Sequence, residues 1–322
     1  MLVNGKWTGQ WDPVQKKDAD GRFIRQSSQF RHWVTPNGEA GPSGEGGFAA
    51  EADRYHLYVA LICPWASRTL MVRRLKGLDR IITVSVVEPV LTDQGWRFGN
   101  YPGVGPDELN GATYMHELYT KADPGYTGRA TVPVLWDKHR GTIVSNESAD
   151  IVRMLNTAFN AFTDSDLDLY PAELRRDIDA LNDRLYIALN NGVYQAGFAS
   201  SQRAYEEAYA RVFGMLDDLE ARLGDGRRYL FGDRITESDV RLFVTLVRFD
   251  PAYHGVFKCN RNLLAQMPAL AAYLDRVLAL PGVAETVNID HIKAGYYSIK
   301  ALNPTGIVPA GPALPEALAK AA

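Results

Sequence analysis

The sequence predicts a small α/β domain followed by an all-helical domain. Between residues 51 and 160, short apolar stretches rich in β-branched residues alternate with stretches of helical spacing. From about residue 165 onward, apolar residues recur at helical spacing alone. The chain has 322 residues, which exceeds the usual size of one domain and allows each of two domains to bury a core.

The composition and net charge of the chain limit the kinds of molecule that it is expected to bind. Apolar residues make up 46% and charged residues 23% of the chain, as in ordinary globular proteins. The net charge of -3 provides no general field that would attract nucleic acid or an anionic membrane. The N-terminal MLVNGKWTGQWDP has no apolar signal region, and no apolar stretch approaches the roughly 18 residues of a membrane span. We therefore expect a cytoplasmic protein with a small-molecule partner.

The first half of the chain reads as an irregular arm and a βαβ unit. Residues 1–50 are rich in Gly and polar residues without a sustained period, so they predict an arm that packs over a neighbouring element. The stretch YHLYVALI, residues 55–62, predicts a strand buried on both faces, and a helix follows from about Pro64 to Lys76. The β-branched IITVSVV, residues 81–87, predicts a parallel second strand with a right-handed crossover.

A second strand pair completes the α/β domain, which we assign to residues 51–160. Residues 88–128 are rich in Gly, Pro, Asn and Asp and read as a long irregular insertion. VPVLWD and GTIVS then predict two strands joined by a turn at DKHRG, and helical spacing resumes at Ile151. The order βαβ, ββα is that of a thioredoxin-like domain.

Four amphipathic helices are predicted in the second domain, residues 161–290. Their apolar positions span residues 174–189, 205–223, 236 onward and 268–280. Thr236 and Asp239 have the spacing of a capping box at the third helix, and Pro268 suits the first position of the fourth. Residues 291–322 read as a C-terminal extension whose last residues, ALPEALAKAA, are expected to fray.

Cysteine and histidine usage argues against disulfides and metals. The two cysteines, Cys63 and Cys259, lie far apart and outside any CxxC or zinc pattern. The six histidines form no HxxxH pair, so we expect no metal catalysis. Cys259 is most simply a small buried apolar residue, the commoner role of a free cysteine.

Cys63 is the candidate nucleophile. In LICPWASRT it lies where the strand gives way to the helix, and a helix N-terminus stabilises the thiolate. A dithiol motif would need a second cysteine three positions on, but that residue is Ala66. A monothiol site must be resolved by an outside thiol, and in the cytoplasm that thiol is glutathione. The alternative is a buried cysteine at a strand end.

Two further segments favour a thiol-binding site. Val132-Pro133 opens the second strand pair, where thioredoxin-like proteins place a cis-proline next to the thiol ligand. Glu147 and Ser148 begin a predicted helix, whose N-H groups and Ser148 hydroxyl suit the γ-glutamyl carboxylate of glutathione. Glu147 would accept from the γ-glutamyl amine. The alternative is that these two residues only cap the helix.

Four segments in this order resemble those of a glutathione transferase: CPWAS, GRATVPVLWD, VSNESADIV and LFGDRITESDVRLF. The closer resemblance, through DQGWRF, NNGVYQAGF, RFDPAYHGVFKCN and DHIKAGYY, is to the glutathionyl-hydroquinone reductases of the Xi class. It extends from near residue 28 to near residue 312. It implies the glutathione transferase fold and a cytoplasmic homodimer that uses glutathione as co-substrate, without metal or prosthetic group. The reaction would reduce S-glutathionyl-hydroquinones to hydroquinones, as in the degradation of quinones or chlorinated aromatics.

The resemblance also implies roles for individual residues. Cys63 would be the nucleophile, and Tyr194, Tyr253 and Tyr296 would hydrogen-bond the thiolate and hold the aromatic substrate. The residues implied to contact glutathione are Trp96, Arg129, Ala130, Thr131, Val132, Glu147 and Ser148. A ping-pong exchange follows: Cys63 takes the glutathionyl group while Tyr194 protonates the ring carbon, and a second glutathione releases the disulfide GSSG.

The chain departs from the family pattern near its end. Ala294 and Gly295 stand where the family has a basic residue and a histidine, and the segment 297–303 is one residue short, which leaves substrate preference open. Two other functions also stay open. One is an Omega-type thiol transferase or dehydroascorbate reductase, which shares the monothiol site, and the other is a non-catalytic glutathione-binding scaffold.

Overall fold

The computed structural model describes residues 1–9, 16–313 and 318. The chain divides into two units, each of which is described by itself. The first comprises Met1–Asp12 and Gln26–Leu167, and the second comprises Pro13–Arg25 and Asp168–Ala322. Part of the N-terminal arm therefore belongs with the helical half of the chain.

The first unit is built on a four-stranded mixed sheet. Its elements in chain order are β1 (Leu2–Val3), β2 (Lys6–Trp7), β3 (Tyr55–Val59), α1 (Pro64–Leu75), β4 (Ile82–Val86), α2 (Met115–Ala122), β5 (Val134–Asp137), β6 (Thr142–Ser145) and α3 (Ser148–Thr157). The strand order is β4-β3-β5-β6, with β3 parallel to β4 and the other pairs antiparallel. Every residue of β3 is buried, as its continuous apolar pattern predicts. The predicted thioredoxin-like order is confirmed.

The arm covers the β6 edge of this sheet. The His32 N-H donates to the Val144 carbonyl at 3.0 Å, and the Asn146 N-H donates to the Phe30 carbonyl at 3.2 Å. The Arg31 guanidinium pairs with the Asp150 carboxylate on α3. These contacts occupy backbone groups that an open edge strand would leave exposed. Residues 10–15 of the predicted arm lie outside the described residues.

The stretch predicted as an irregular insertion contains a helix. α2 lies within residues 88–128 and buries Met115, Leu118 and Tyr119. It is only eight residues long, and no side chain caps its start. A helix this short is marginal by itself, so burial of three residues stabilises it where local sequence signals do not.

The second unit is helical. Its helices are α4 (Arg175–Leu185), α5 (Gly192–Gly197), α6 (Gln202–Leu223), α7 (Glu237–Arg248), α8 (Pro268–Leu278) and α9 (Ile289–Tyr297). The predicted capping box of α7 is present, with the Asp239 carboxylate accepting from the Thr236 N-H at 2.8 Å. No helix of the described residues has the length and apolarity needed to cross a membrane. The α/β-plus-helical fold class is therefore confirmed.

Two wide turns interrupt the predicted helical pattern. The helix predicted through residue 189 changes to π-helix over Tyr186–Asn190, and another π-helical turn, Phe249–Tyr253, follows α7. Pro251 lies in the second turn and has no N-H to donate to a regular α-helix. The Asn190 amide donates to Thr245 Oγ1 at 2.8 Å, which ties the first turn to α7. Turns of this kind are frequent at functional sites.

The C-terminal region is more regular than its sequence indicates. α9 spans residues 289–297 and so crosses the predicted boundary between residues 290 and 291. The Asn288 side chain caps it by accepting from the His291 N-H at 2.8 Å. Of the tail predicted to fray, only Ala313 and Leu318 lie within the described residues.

Candidate active site

Cys63 is the N-cap residue of α1. Its backbone is extended, with φ -78° and ψ 118°, and its carbonyl accepts the first helical bond from the Ser67 N-H at 3.0 Å. The half-buried thiol lies at a terminus where N-H groups and the helix dipole favour negative charge. Ala66, at the position of a resolving cysteine, is fully buried. The local geometry suits a reactive monothiol.

The peptide next to the thiol is the predicted cis-proline. Val132-Pro133 is cis, and Cys63 Sγ lies 3.6 Å from the Val132 carbonyl oxygen. Residues 63 and 132 are far apart in sequence, so the sheet brings them together. The structure thus places the Val132 backbone beside the Cys63 thiol.

Thr131 is fixed by a residue that the sequence analysis missed. The Thr131 N-H donates to the Tyr119 hydroxyl at 3.1 Å, and this hydroxyl donates to the Thr131 carbonyl at 2.9 Å. The Asn146 amide also donates to the hydroxyl, at 3.0 Å. Burial raises the pKa of Tyr119 to about 12, so the phenol stays neutral and acts as a donor. Tyr119 belongs to the short helix α2, which is why its role left no sequence signal.

Glu147 and Ser148 form the start of α3. Glu147 is its N-cap, and its carboxylate accepts from the Ala149 N-H at 3.1 Å and from the Ser28 hydroxyl at 3.0 Å. Ser148 is only 2% exposed. Helix capping, the simpler interpretation of Glu147, is therefore observed. A carboxylate has about four acceptor positions, so capping does not exclude a ligand amine.

The other residues implied to contact glutathione lie in the same unit. Trp96 is buried, and its carbonyl accepts from the Met115 N-H of α2 at 2.9 Å. The Arg129 carbonyl accepts from the Tyr126 hydroxyl at 3.0 Å, and Ala130 is buried. The two hydrogen bonds join Trp96 to α2 and Arg129 to the insertion. They establish position, and the roles in binding stay predictions.

Three tyrosines meet in the second unit. The Tyr194 hydroxyl of α5 lies 2.6 Å from that of Tyr296 on α9, which in turn lies 3.0 Å from the Tyr253 hydroxyl. Burial raises the pKa of Tyr253 and Tyr296 well above the ordinary value, so both remain neutral phenols. Tyr194 is only partly buried. It is the member of this tyrosine cluster with access to solvent.

An aromatic wall supports the cluster. The Phe257 ring stacks on that of Tyr253, with centroids 5.3 Å apart and planes at 7°, and it also meets Tyr194 and Tyr296 edge-on. At Gly197 of α5 a Cβ atom would lie 2.3 Å from the Phe257 ring. α5 can approach Phe257 because residue 197 has no side chain. Both residues lie in segments that resemble the family, NNGVYQAGF and RFDPAYHGVFKCN, but the resemblance gave neither a role.

The part of the chain that the structure describes offers no metal site beside these groups. Within residues 1–9, 16–313 and 318, no group of three His, Cys, Asp or Glu residues is placed to hold a metal ion. The second cysteine, Cys259, is buried, and burial raises the pKa of its thiol to about 12. Cys63 and Cys259 therefore differ strongly in their surroundings.

Comparison with known proteins identifies the family. Residues 62–158 match the glutathione S-transferase N-terminal domain, and residues 202–276 match the C-terminal domain. The chain is 51% identical over 314 residues to the glutathionyl-hydroquinone reductase YqjG of Escherichia coli K12, covering 97% of this chain and 95% of the relative. The chain belongs to the glutathionyl-hydroquinone reductase family of glutathione transferases.

Other members of the family agree in sequence and structure. The glutathionyl-hydroquinone reductase PcpF of Sphingobium chlorophenolicum is 48% identical, covering 98% of this chain and 97% of the relative. The glutathione-bound structure of YqjG superposes with a TM-score of 0.90 at 49% identity, covering 98% and 96% of the two chains. The Xi class glutathione transferase of Natrialba magadii has a TM-score of 0.88 at 44% identity, covering 98% and 93%. The sequence-based assignment to the Xi class is confirmed.

Proposed function

We propose that this protein is a glutathionyl-hydroquinone reductase, which converts S-glutathionyl-hydroquinones to hydroquinones with glutathione as co-substrate. The observation that carries the proposal is the full-length identity of about one half with two relatives named for this activity. The monothiol at the α1 N-terminus and the tyrosine cluster supply the chemistry that such a reaction needs.

The first half-reaction transfers the glutathionyl group to Cys63. The thiolate attacks the sulfur of the substrate, an S-S bond forms and the carbon-sulfur bond breaks. The electron pair of that bond goes to the ring carbon, which is a poor leaving group unless a proton reaches it. Tyr194 supplies this proton, because it is the partly exposed member of the cluster. The products are the hydroquinone and a Cys63-glutathione disulfide.

The second half-reaction restores the thiolate. A second glutathione gives up its thiol proton and attacks the mixed disulfide, releasing GSSG. The proton returns to the Tyr194 oxygen, so that atoms and charge balance over the cycle. An outside thiol is required because Ala66 occupies the position of a resolving cysteine.

Glutathione binding is assigned to the groups around the thiol. The Val132 backbone lies beside Cys63 and suits the cysteinyl part of glutathione. The N-terminus of α3, with Ser148, suits the γ-glutamyl carboxylate, and Glu147 suits its amine. Trp96, Arg129, Ala130 and Thr131 complete the proposed site. The glutathione-bound structure of YqjG supports glutathione as the ligand.

Substitution of the two cysteines tests the proposal. Cys63→Ser should lower the rate of hydroquinone release about a thousandfold or more, because a hydroxyl cannot form the mixed disulfide. Cys259→Ala is the matched control and should retain the activity, because that thiol is buried and protonated. Turnover of a glutathionyl-hydroquinone is measured by chromatography of the products. A Cys63→Ser variant with most of its activity would contradict the mechanism.

The Omega-type activity and the scaffold remain the alternatives, since both are compatible with a monothiol site. Parallel assays with a glutathionyl-hydroquinone, hydroxyethyl disulfide and dehydroascorbate separate the two enzymes. The tyrosine cluster favours the reductase, because thiol transfer needs no proton at a ring carbon. A wild-type protein that turns over none of the three substrates would favour the scaffold.

Assembly and location stay predictions from the sequence. We expect a homodimer, which light scattering of the purified protein would measure. We expect a cytoplasmic location, which fractionation of the source cells would test.

A further inference from the structure

One segment of the N-terminal arm, residues 16–25, is fixed against the end of α5 and the first turns of α6. Phe23 is buried, and its ring centroid lies 5.5 Å from that of Phe198, just after α5. The Arg22 guanidinium pairs with the Glu207 carboxylate of α6 at 2.9 Å. The Ser200 N-H donates to the Gly21 carbonyl at 3.1 Å. These contacts hold the end of the segment in one place.

Arg25 ends this segment on the face of Tyr194. Its guanidinium carbon lies 4.8 Å from the centroid of the Tyr194 ring. The Arg25 Nε-H donates to Asn191 Oδ1 at 2.9 Å, and Asn191 is a buried residue directly before α5. The Arg25 guanidinium is therefore held by the same segment, residues 191–194, that carries the Tyr194 ring.

A cation over the ring affects the acidity of the phenol. A guanidinium is attracted to the negative face of an aromatic ring, and the attraction grows when the ring carries the charge of a phenolate. The Tyr194 hydroxyl also meets that of Tyr296, which is buried and neutral and can donate to it. Arg25 and Tyr296 are thus both placed to stabilise negative charge on Tyr194.

We infer that Arg25 is a positioning residue for the reductase reaction: it orients Tyr194 and stabilises the charge left on its oxygen when its proton passes to the ring carbon. The inference rests on the proposed function. The step is the first half-reaction, in which the carbon-sulfur bond breaks, the Cys63-glutathione disulfide forms and Tyr194 becomes a phenolate. The thiol proton of the second glutathione later restores the phenol.

The test compares Arg25→Gln, Arg25→Lys and the control Arg22→Gln in the full-length protein. Arg25→Gln should slow hydroquinone release in a single turnover about tenfold, because it removes the cation from the ring. Reduction of a preformed Cys63-glutathione disulfide by glutathione should be unchanged, since that step needs no ring proton. Arg25→Lys should recover most of the rate, because it keeps the charge. Arg22→Gln perturbs the docking of the arm but not the charge at Tyr194, and should keep the wild-type rate.

Several results would overturn the inference. Hydroquinone release at the wild-type rate in Arg25→Gln would show that the cation does not act on the chemical step. An equal loss in Arg22→Gln, or a parallel loss in reduction of the preformed disulfide, would show a structural effect of the arm. If the wild-type protein releases no hydroquinone, the proposed function itself fails and the inference with it. That outcome differs from an active wild type with an unaffected variant, which refutes only the role of Arg25.

Discussion

At the scale of single residues, the two cysteines show how surroundings decide reactivity. Cys63 and Cys259 are chemically identical, but one is the N-cap residue of α1 and the other is buried. A helix N-terminus lowers the pKa of a thiol, whereas burial raises it, and at Cys259 burial outweighs the opposing charge of Lys258. The sequence already separates the two residues, because strand, proline and helix-forming residues surround Cys63.

The difference predicts selective alkylation. Iodoacetamide should modify Cys63 with a pH midpoint well below about 8.5, the ordinary value of a free thiol. Cys259 should not react in the native protein, since burial raises the pKa of its thiol to about 12. Mass spectrometry of the two cysteine peptides after short labelling at a series of pH values measures both. A midpoint at or above the ordinary value for Cys63 would remove the basis for its thiolate.

At the scale of elements, the sequence predicted the helices and strands that have strong periodic patterns but missed the short ones. Apolar strand patterns predict β3 and the β5-β6 pair. A proline at the helix start marks α1, and a capping box marks α7. α2 and α9 were not predicted, because eight or nine residues carry little periodic signal. The two π-helical turns, Tyr186–Asn190 and Phe249–Tyr253, were also not predicted, because they depend on packing between helices.

The contact of α5 with Phe257 predicts a large effect of a small substitution. Gly197→Ala would bring a methyl group to 2.3 Å from the Phe257 ring, so the ring or α5 must shift. We expect a loss of about 1–3 kcal/mol in the free energy of unfolding. Hydroquinone release should also slow, because Phe257 packs on all three tyrosines. Denaturant unfolding and the reductase assay measure the two effects.

Gly214 on α6 provides the matched control for this substitution. A Cβ at this residue would meet no atom within 4 Å. Gly214→Ala should therefore stabilise the protein by about 0.5–1 kcal/mol through its helix propensity. Equal stability of the two variants would mean that Phe257 yields easily and that Gly197 is not required for the packing of the cluster.

At the scale of the whole molecule, a buried histidine links folding to pH. His56 on β3 is buried beside Tyr58, with Nδ1 2.6 Å from the Thr83 hydroxyl. Burial lowers its pKa to about 4, an effect that Lys138 and Arg73 reinforce and Asp107 opposes. The unfolded chain takes up a proton near the ordinary value of about 6.5. Between these values the unfolded state binds more protons, so stability falls as the pH falls from about 6.5 to about 4.

His56→Gln should remove this contribution. The stability of the variant should decline less than that of the wild type across this window, by up to about 1.4 kcal/mol per pH unit. Urea unfolding at a series of pH values measures the slopes. Equal slopes for wild type and His56→Gln would show that His56 is protonated in the folded protein.

The sequence by itself determined those parts of the site that depend on residues adjacent in the chain. It placed a thiol at a strand-helix junction, put Ala66 where a resolving cysteine would stand and marked Glu147 and Ser148 as a helix start. Backbone propensities and capping act over a few residues, so local sequence is enough to specify them.

Tertiary structure decided the rest. It set Cys63 beside Val132, joined Tyr194 to Tyr253 and Tyr296, and laid Arg25 on the Tyr194 ring. Such contacts join residues many positions apart, and they form only when whole elements bury their apolar faces together. Local signals do not record that packing, which is why Tyr119, Phe257 and Arg25 became visible only in the folded chain.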